Sequence, residues 1–390
     1  MSKKIEVVIE SLGGLGDGIA SYNGKPVFVE KSAVGDELKV KITQESKEFI
    51  RAEILEIIKP SKQRISPPCP YFAECGGCSL QHLEIAAYQE FKKKIARNTL
   101  KQAGFLDDSD VFFLPPASRR RAEFKLMRKN GRLQFAYLAS RSHQKIPIDN
   151  CLILEEDLQN ILPILLKKLG KQVSVEEIER VHVTLADIGV LAVLNMVSGK
   201  KISIPLSETE KPYMQFGGQK IALTENVFLQ ASKEGARLLT QFALDECEGA
   251  EKILDLFCGI GTYSFSLAER ASVLAADIDV HMIKSLKDCI GNLPLTAEAR
   301  DLFKRPFLAK DLKDFDRIIL NPPRAGAKAQ VEEISKLKNK PKIIMISCNP
   351  ASFARDAKML KEAGYKLQKS IAVDQFVYSP HLEIAASFIA

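Results

Sequence analysis

Short runs of alternating hydrophobic and polar residues fill roughly the first 60 positions of the chain. Ile5, Val7 and Ile9 occupy every second position, and similar runs follow glycine-containing turns such as Asn23-Gly24. About five strands of this kind predict a small β-barrel of the oligonucleotide-binding (OB) type, although other small barrels share the pattern. Prolines interrupt the pattern from Pro60 onward, so we predict an N-terminal barrel domain at residues 1–59.

A mixed pattern occupies residues 60–215. From Ser79 hydrophobic residues recur at helical spacing, and basic residues cover the opposite side: Leu80, Leu83, Ala87, Phe91 and Ile95 against Lys92, Lys93, Lys94 and Arg97. Strand-like runs then surround a second helical stretch near 155–169. This segment is predicted to be an α+β middle domain.

Buried strands and helices alternate from residue 216 to residue 390. We predict strands at 253–257, 273–276, 316–320, 342–347 and 382–389, with helices after the first strands. This alternation is typical of a Rossmann-like, doubly wound α/β sheet. The third predicted domain is therefore an α/β domain at residues 216–390.

A candidate cofactor crevice follows the first strand of that sheet, because ligands of such sheets bind beyond the carboxyl ends of the strands. Gly259 and Gly261 let the backbone approach a ligand, but a dinucleotide fingerprint would need a third glycine where Ser264 stands. Asp277 and Asp301 follow the next two strands, where carboxylates would meet ribose hydroxyls and an adenine amino group. The pattern favours S-adenosylmethionine over a nicotinamide dinucleotide.

Two chemically active residues end later strands. Cys348 follows the strand at 342–347 and precedes a helix, whose dipole would favour the thiolate, while Glu383 opens the last strand. A thiolate, a carboxylate and a methyl donor suit methylation of pyrimidine C5 through an adduct at C6. A buried inert cysteine is the alternative. Asn321-Pro322-Pro323 also occurs in amino-methylating enzymes, but Arg324 stands where those enzymes carry an aromatic residue.

These motifs together resemble the RNA 5-methyluridine (uracil-C5) methyltransferase family over nearly the whole chain. The matching segments are Phe228-Leu229-Gln230, Asp255-Leu256-Phe257-Cys258-Gly259-Ile260-Gly261, Asn321-Pro322-Pro323-Arg324-Ala325-Gly326, Ser347-Cys348-Asn349-Pro350 and His381-Leu382-Glu383. The resemblance implies an N-terminal TRAM domain, an OB-like barrel, and a class I methyltransferase domain at the C-terminus. It also implies transfer of a methyl group from S-adenosylmethionine to C5 of a uridine in 23S rRNA or in tRNA, with 23S rRNA favoured.

The resemblance assigns roles by position. It implies Cys348 as the nucleophile and Glu383 as the base that takes the C5 proton. The residues implied for the methyl-donor site are Gln230, Phe257, Gly259, Thr262, Asp277, Asp301 and Asn321. The family usually has Asp where this chain has Asn321, so an RNA-binding or chaperone-like protein with a catalytically silent methyltransferase fold is the alternative.

Charge along the chain indicates a polyanionic partner. The net charge is +7, yet residues 91–145 alone contain 14 Lys and Arg against 4 Asp and Glu. Such a block suits RNA, although it could be a solvated helix face. The predicted RNA-binding residues are Arg119, Arg120, Arg121, Phe124, Lys125 and Arg324. No apolar run approaches the roughly 18 residues of a membrane span and no signal peptide is evident, so we expect a cytoplasmic protein.

Four of the eight cysteines form a candidate metal site. Cys69, Cys75 and Cys78 lie close together in the sequence, and Cys151 is a distant fourth. A zinc site would more often use two Cys-x-x-Cys pairs, and a thioredoxin-like pair would follow a buried strand. The three-plus-one arrangement fits a [4Fe–4S] cluster in the middle domain, and iron–sulfur members of the resembled family share it. We expect a structural cluster that also shapes an RNA surface.

Overall fold

The computed structural model describes residues 3–106, 109–172, 174–206 and 211–390. The chain divides into two units. The first comprises Met1–Ile95, Ala136–Ile148 and Phe376–His381, and the second comprises Ala96–Phe135, Asp149–Gln375 and Leu382–Ala390. Segments of the predicted middle domain therefore occur in both units, and the predicted boundary at residue 215 coincides with no limit of either unit.

A six-stranded barrel forms the N-terminal part of the first unit. Its strands are β1 (Lys4–Val8), β2 (Ser11–Leu12), β3 (Gly18–Tyr22), β4 (Lys25–Val29), β5 (Glu37–Glu45) and β6 (Ile50–Lys59), in the order β1-β5-β6-β4-β3-β2. Strand β1 pairs with β5, and just after β1 the backbone N–H of Glu10 donates to the carbonyl of Ile19 on β3. The segment between β1 and β2 therefore bonds to both sides and closes the sheet into a barrel. Ile5, Val7 and Ile9 all point into the core, as their alternation predicts.

The basic helix predicted after Ser79 is α1 (Ile85–Gln102), which begins six residues later than the pattern suggested. Lys92 on this helix is fully buried, and its Nζ donates to the carbonyl of His381 at 2.6 Å. Lys92 was expected on the basic side of the helix, opposite the hydrophobic residues, and its burial corrects this expectation. A buried ammonium needs such a partner, because burial without a hydrogen bond is costly.

An antiparallel sheet occupies the first part of the second unit. Its strands follow the order β8 (Arg121–Lys129), β11 (Ile178–Leu185), β12 (Val190–Met196) and β13 (Lys201–Pro205). Helix α2 (Glu156–Gln172) contacts β11, and it matches the helix predicted near 155–169. Strand β9 (Arg132–Leu138) is divided between the units, and its end pairs with β10 (Lys145–Pro147) within the first unit. The hairpin of β14 (Tyr213–Phe216) and β15 (Gln219–Ala222) was not predicted.

The α/β part of the second unit contains one eight-stranded sheet. Its strands are β7 (Asp110–Phe113), β16 (Lys252–Leu256), β17 (Ser272–Asp277), β18 (Leu295–Ala299), β19 (Arg317–Leu320), β20 (Lys342–Ser347), β21 (Lys366–Asp374) and β22 (Glu383–Ile389). The order is β18-β17-β16-β19-β20-β22-β21-β7. Only β22 runs antiparallel to its neighbours. The helices of this part are α3 (Lys233–Glu246), α4 (Ser264–Ala268), α5 (Val280–Lys287), α6 (Ala309–Leu312), α7 (Lys328–Ser335) and α8 (Pro350–Glu362).

Within the described ranges, none of the helices combines the length and the apolar character that a transmembrane segment requires.

Candidate active site

The predicted site residues at strand ends lie along one edge of the eight-stranded sheet. Strands β16 to β20 are parallel, so their carboxyl ends meet at this edge. Asp277 ends β17, Asn321 follows β19 and Cys348 follows β20, while antiparallel β22 begins at the same edge with Glu383. Side chains from distant parts of the sequence therefore meet where doubly wound sheets bind ligands.

The loop after β16 is held by Asp277. One carboxylate oxygen accepts the N–H of Gly259 at 2.9 Å, and the other accepts the N–H of Asp279 at 3.0 Å. A carboxylate has about four lone-pair positions, so the buried Asp277 retains acceptors for further donors such as ribose hydroxyls. Gly261 has φ +87°, and a Cβ there would lie 2.8 Å from the Phe265 ring. A glycine is therefore required where this loop meets α4.

Two aromatic rings flank the same loop. Phe257 adopts φ +61°, an uncommon conformation for a non-glycine residue, and its ring centroid lies 5.6 Å from that of Phe303. Asp301 accepts the backbone N–H groups of Phe303 and Lys304, which fixes its carboxylate beside the rings. Apolar rings next to a carboxylate suit an adenine. The sequence reasoning missed Phe303, which no motif marks.

Register brings the thiol and the carboxylate together. Strands β20 and β22 pair with Ser347 opposite Ile384, and Cys348 and Glu383 are the next residues at this end of the two strands. Side chains opposite each other in an antiparallel pair point to the same face. The Glu383 carboxylate also raises the pKa of the Cys348 thiol, as a neighbouring negative charge does. The two predicted catalytic groups therefore lie near each other, with the thiol half-buried and Glu383 buried.

The Cys348 thiol is not activated by its position alone. Burial and the Glu383 carboxylate raise its pKa, and the positive charge and side-chain hydrogen bond of Arg324 act in the opposite direction. The dipole of α8 was expected to favour the thiolate, yet the pKa of the thiol is raised, with burial as the largest cause. Arg324 stabilises the thiolate through its charge and a side-chain hydrogen bond, so it lies close to the sulfur.

A chain of amides holds Glu383. Burial raises the pKa of Glu383 to about 7, and the hydrogen bond from Gln375 and the charge of Arg121 partly oppose this rise. The Gln375 amide donates to Glu383 Oε2 at 2.9 Å and to Gln230 Oε1 at 2.7 Å. Its own oxygen accepts the N–H of Ala231 at 3.0 Å, so the amide orientation is determined. Sequence reasoning missed Gln375, which follows β21 and has no motif.

Arg121 lies beside both reactive groups. Burial lowers the pKa of Arg121 to about 10, and Glu383 and Cys348 are among the nearby groups that raise it. Its guanidinium stacks on the Phe228 ring at 4.1 Å from the centroid. Phe228 is half exposed, so a planar base could approach this stacked pair. Arg121 was predicted to bind RNA phosphates, which stays a prediction, and its charge interactions place it near the reactive groups.

Two other predicted RNA-binding residues do not reach solvent. Arg120 is buried, and its Nε donates to the carbonyl of Gln230 at 3.1 Å. Phe124 is also buried, with its ring 4.6 Å from that of Phe135. The prediction that Arg120 and Phe124 contact RNA is therefore corrected, because both stabilise the interior. Lys125 is partly exposed and donates to the carbonyl of Glu179.

The predicted metal ligands do not form a metal site in this structure. Cys69, Cys75 and Cys78 belong to the first unit and Cys151 to the second. Across the described residues, no three His, Cys, Asp or Glu side chains are grouped closely enough to hold a metal ion. No chemistry is therefore assigned to a cluster here.

Two family models match the chain. Residues 191–389 match the tRNA (uracil-5-)-methyltransferase model, and residues 2–55 match the TRAM domain model. An uncharacterized RNA methyltransferase of Caulobacter vibrioides is 35% identical, with 98% of this chain and 99% of that protein covered. A protein of Vibrio vulnificus named 23S rRNA (uracil(1939)-C(5))-methyltransferase RlmD is 29% identical, with 99% and 96% covered.

A solved structure shares the fold. The tRNA (uracil-54, C5)-methyltransferase of Pyrococcus abyssi, in complex with S-adenosyl-L-homocysteine, superposes with a TM-score of 0.74. Its sequence is 23% identical, and the match covers 99% of this chain and all of that chain. The class I methyltransferase architecture and the β-rich TRAM domain expected from the sequence are confirmed.

Proposed function

The chain belongs to the RNA uracil-C5 methyltransferase family, and from this premise we propose that it methylates a uridine of 23S rRNA through a covalent adduct between Cys348 and C6. The proposal is supported chiefly by the pairing of β20 with β22, which brings the ends that carry Cys348 and Glu383 together, and by the effect of the Glu383 charge on the Cys348 thiol. Arg324 and Arg121 surround this pair with positive charge.

S-adenosylmethionine is the proposed methyl donor. The carboxylate of Asp277 at the end of β17, the rings of Phe257 and Phe303 and the nearby Asp301 suit its ribose and adenine. Bound there, it would supply an electrophilic methyl group on a sulfonium. Gln230 connects the proposed methyl-donor site to the catalytic base Glu383. Its amide oxygen accepts a hydrogen bond from Gln375, which also donates to Glu383.

The reaction then follows from the reactive groups. The Cys348 thiol loses its proton, assisted by the hydrogen bond from Arg324, and the thiolate adds to C6 of the uracil. The addition makes C5 nucleophilic, and C5 takes the methyl group. Glu383 then removes the proton at C5, the C6–S bond breaks and the thiolate leaves. The products are 5-methyluridine, S-adenosylhomocysteine and one proton.

Base extrusion is required because the face of C6 is hidden in stacked RNA. The stacked pair of Arg121 and the half-exposed Phe228 provides planar surfaces for an extruded base. A role for Asn321 in binding donor or base remains a prediction. Its backbone N–H donates to the carbonyl of Leu256, which places it at the crevice edge.

The RNA target rests on the relatives. Several proteins that match nearly the whole chain are named as 23S rRNA (uracil(1939)-C(5))-methyltransferases. We therefore propose the corresponding uridine as the first position to test. The tRNA enzyme that shares the fold makes tRNA the alternative substrate.

Methyl transfer from labelled S-adenosylmethionine tests the proposal. The wild-type protein should label unmodified 23S rRNA and not tRNA, and Cys348→Ala should abolish labelling while circular dichroism stays unchanged. Cys289→Ala is the matched control, because Cys289 follows helix α5 and its thiol donates to the carbonyl of Lys220. Full turnover by Cys348→Ala would refute covalent catalysis. RNA binding without methyl transfer by the wild type would favour a catalytically silent protein.

A [4Fe–4S] cluster remains a proposal from the sequence. Its support is the spacing of Cys69, Cys75, Cys78 and Cys151, together with the N–H of Gly77, which donates to Cys75 Sγ at 3.3 Å. Iron and sulfide analysis of protein purified without oxygen tests it. Stoichiometric zinc, or protein free of metal after reconstitution, would contradict it.

A further inference from the structure

A groove of about 310 Å³ opens on one face of the sheet formed by β8, β11, β12 and β13, and it is called the side groove here. Strand pairing sets Arg121, Thr184 and Leu191 in one row across this face, and the next row begins at Glu123. Side chains in register point to the same face, so these rows form the floor of the groove. Its volume lies at the lower end of the range for ligand pockets.

The charges lining the side groove are nearly balanced. Three cations, Arg119, Arg121 and Lys201, face two carboxylates, Glu123 and Glu225. A site for several phosphates would carry a larger excess of positive charge. Mixed donors and acceptors instead suit the edge of a nucleobase and its ribose hydroxyls, which present both kinds of group.

Two buried hydrogen-bond donors of the side groove are unpaired among the described residues. Asn195 Nδ2 and Arg121 Nε are shielded from solvent and have no hydrogen-bond partner among the residues that the structure describes. Both residues line the groove. Buried polar groups are nearly always hydrogen-bonded, so unpaired donors in a cavity wall indicate a ligand that accepts from them.

Arg121 connects the side groove to the reactive groups. Arg121 lines the groove, its guanidinium stacks on Phe228, and the charges of Glu383 and Cys348 raise its pKa. A uridine bound at Cys348 would therefore lie next to the side groove, with the Arg121 side chain between them. An RNA strand that delivers this uridine would bring an adjacent nucleotide to the groove.

We propose that the side groove binds the base and ribose of an unpaired nucleotide next to the target uridine. The inference rests on the proposed function, because it takes the occupant to be the RNA substrate. Asn195 would donate to the base edge, and Glu225 would accept from an amino, imino or hydroxyl group. The groove would thus help to select the RNA sequence around the methylated position.

The test uses the full chain and a short synthetic RNA that contains the target uridine. Asn195→Leu keeps the size of the side chain and removes the unpaired amide. It should raise the KM for RNA about tenfold, as loss of a base contact does, and leave kcat and the KM for S-adenosylmethionine unchanged. Asn339→Leu is the matched control, since Asn339 is exposed in a different groove. Glu225→Gln, in an exposed position, replaces Asn195→Leu if that variant does not fold.

A double-mutant cycle identifies the occupant. Bases flanking the uridine are removed one at a time, and the dissociation constant and KM are measured with wild type and Asn195→Leu. Loss of one flanking base should weaken wild-type binding about tenfold and have little further effect on the variant. Additive effects at every flanking position, or a variant with an unchanged KM, would overturn the proposal. Absence of methyl transfer by the wild type would refute the proposed function instead, while coupling in the dissociation constant would still support the groove.

Discussion

The hydrogen bond from Gln375 to Glu383 should set the pH at which the enzyme becomes active. Glu383 acts as a base only when ionised, and its pKa is raised to about 7 by burial. Gln375→Met keeps the length of the side chain and removes the donor at 2.9 Å from Glu383 Oε2. Loss of a hydrogen bond to a charged group costs about 1.5–3 kcal/mol, which corresponds to a further rise of about 1–2 pKa units.

The expected result follows from the ionised fraction. At pH 7 about half of the wild-type Glu383 is ionised, whereas a pKa near 8 or 9 leaves about a tenth or a hundredth. The single-turnover rate of Gln375→Met should therefore fall about 5- to 50-fold at pH 7 and recover above about pH 9. The assay is single-turnover methyl transfer to RNA from pH 5.5 to 10.

The matched control for this variant is Gln368→Met, an exposed position on the same strand β21. Its pH profile should coincide with that of the wild type. A Gln375→Met profile with an unshifted midpoint would refute the reasoning, because a pure packing defect lowers the rate equally at every pH.

Two further variants test the base and the donor site. Glu383→Gln should trap a protein–RNA adduct, visible as a shifted band on a denaturing gel, since the C5 proton is no longer removed. The folded pKa of Glu383 lies above its usual value of 4.5, so its contribution to stability is present below pH 4.5 and lost as pH rises through about 7. Glu383→Gln should therefore raise the free energy of unfolding at pH 8.5 by about 3 kcal/mol relative to wild type, and equal denaturation midpoints at that pH would contradict this. Asp277→Asn removes one charged hydrogen-bond acceptor and should weaken S-adenosylmethionine binding roughly 10- to 100-fold. Calorimetry measures this affinity, and RNA binding should be unchanged. An unaltered affinity for S-adenosylmethionine would place the ribose elsewhere.

The α/β half of the protein was largely predictable because its signals are local. Buried runs such as 342–347 form strands, and polar residues directly after them lie at one edge of a parallel sheet. That is why Cys348, Asp277 and Asn321 could be named from the sequence. The barrel was also predictable from its period-2 alternation, with one more strand than the five expected.

Burial was the main source of error among the basic residues. Arg119, Arg120 and Arg121 are consecutive, yet Arg120 is buried against the carbonyl of Gln230 and Arg121 stacks on Phe228. A run of arginines shows charge but does not show which guanidinium points inward. That choice depends on the strands that pair around the run, which come from distant segments.

The sequence alone determined which chemical groups the protein possesses and at which strand ends they stand, because strand ends and motifs are properties of neighbouring residues. The tertiary structure decided which of these groups act on one another. Pairing of β21 with β22 sets Gln375 against Glu383, and only the tertiary fold brings Arg121, on β8 of the antiparallel sheet, near Cys348 from a distant part of the chain. The pKa values that control the chemistry arise from burial and from these contacts, so they exist only in the folded protein.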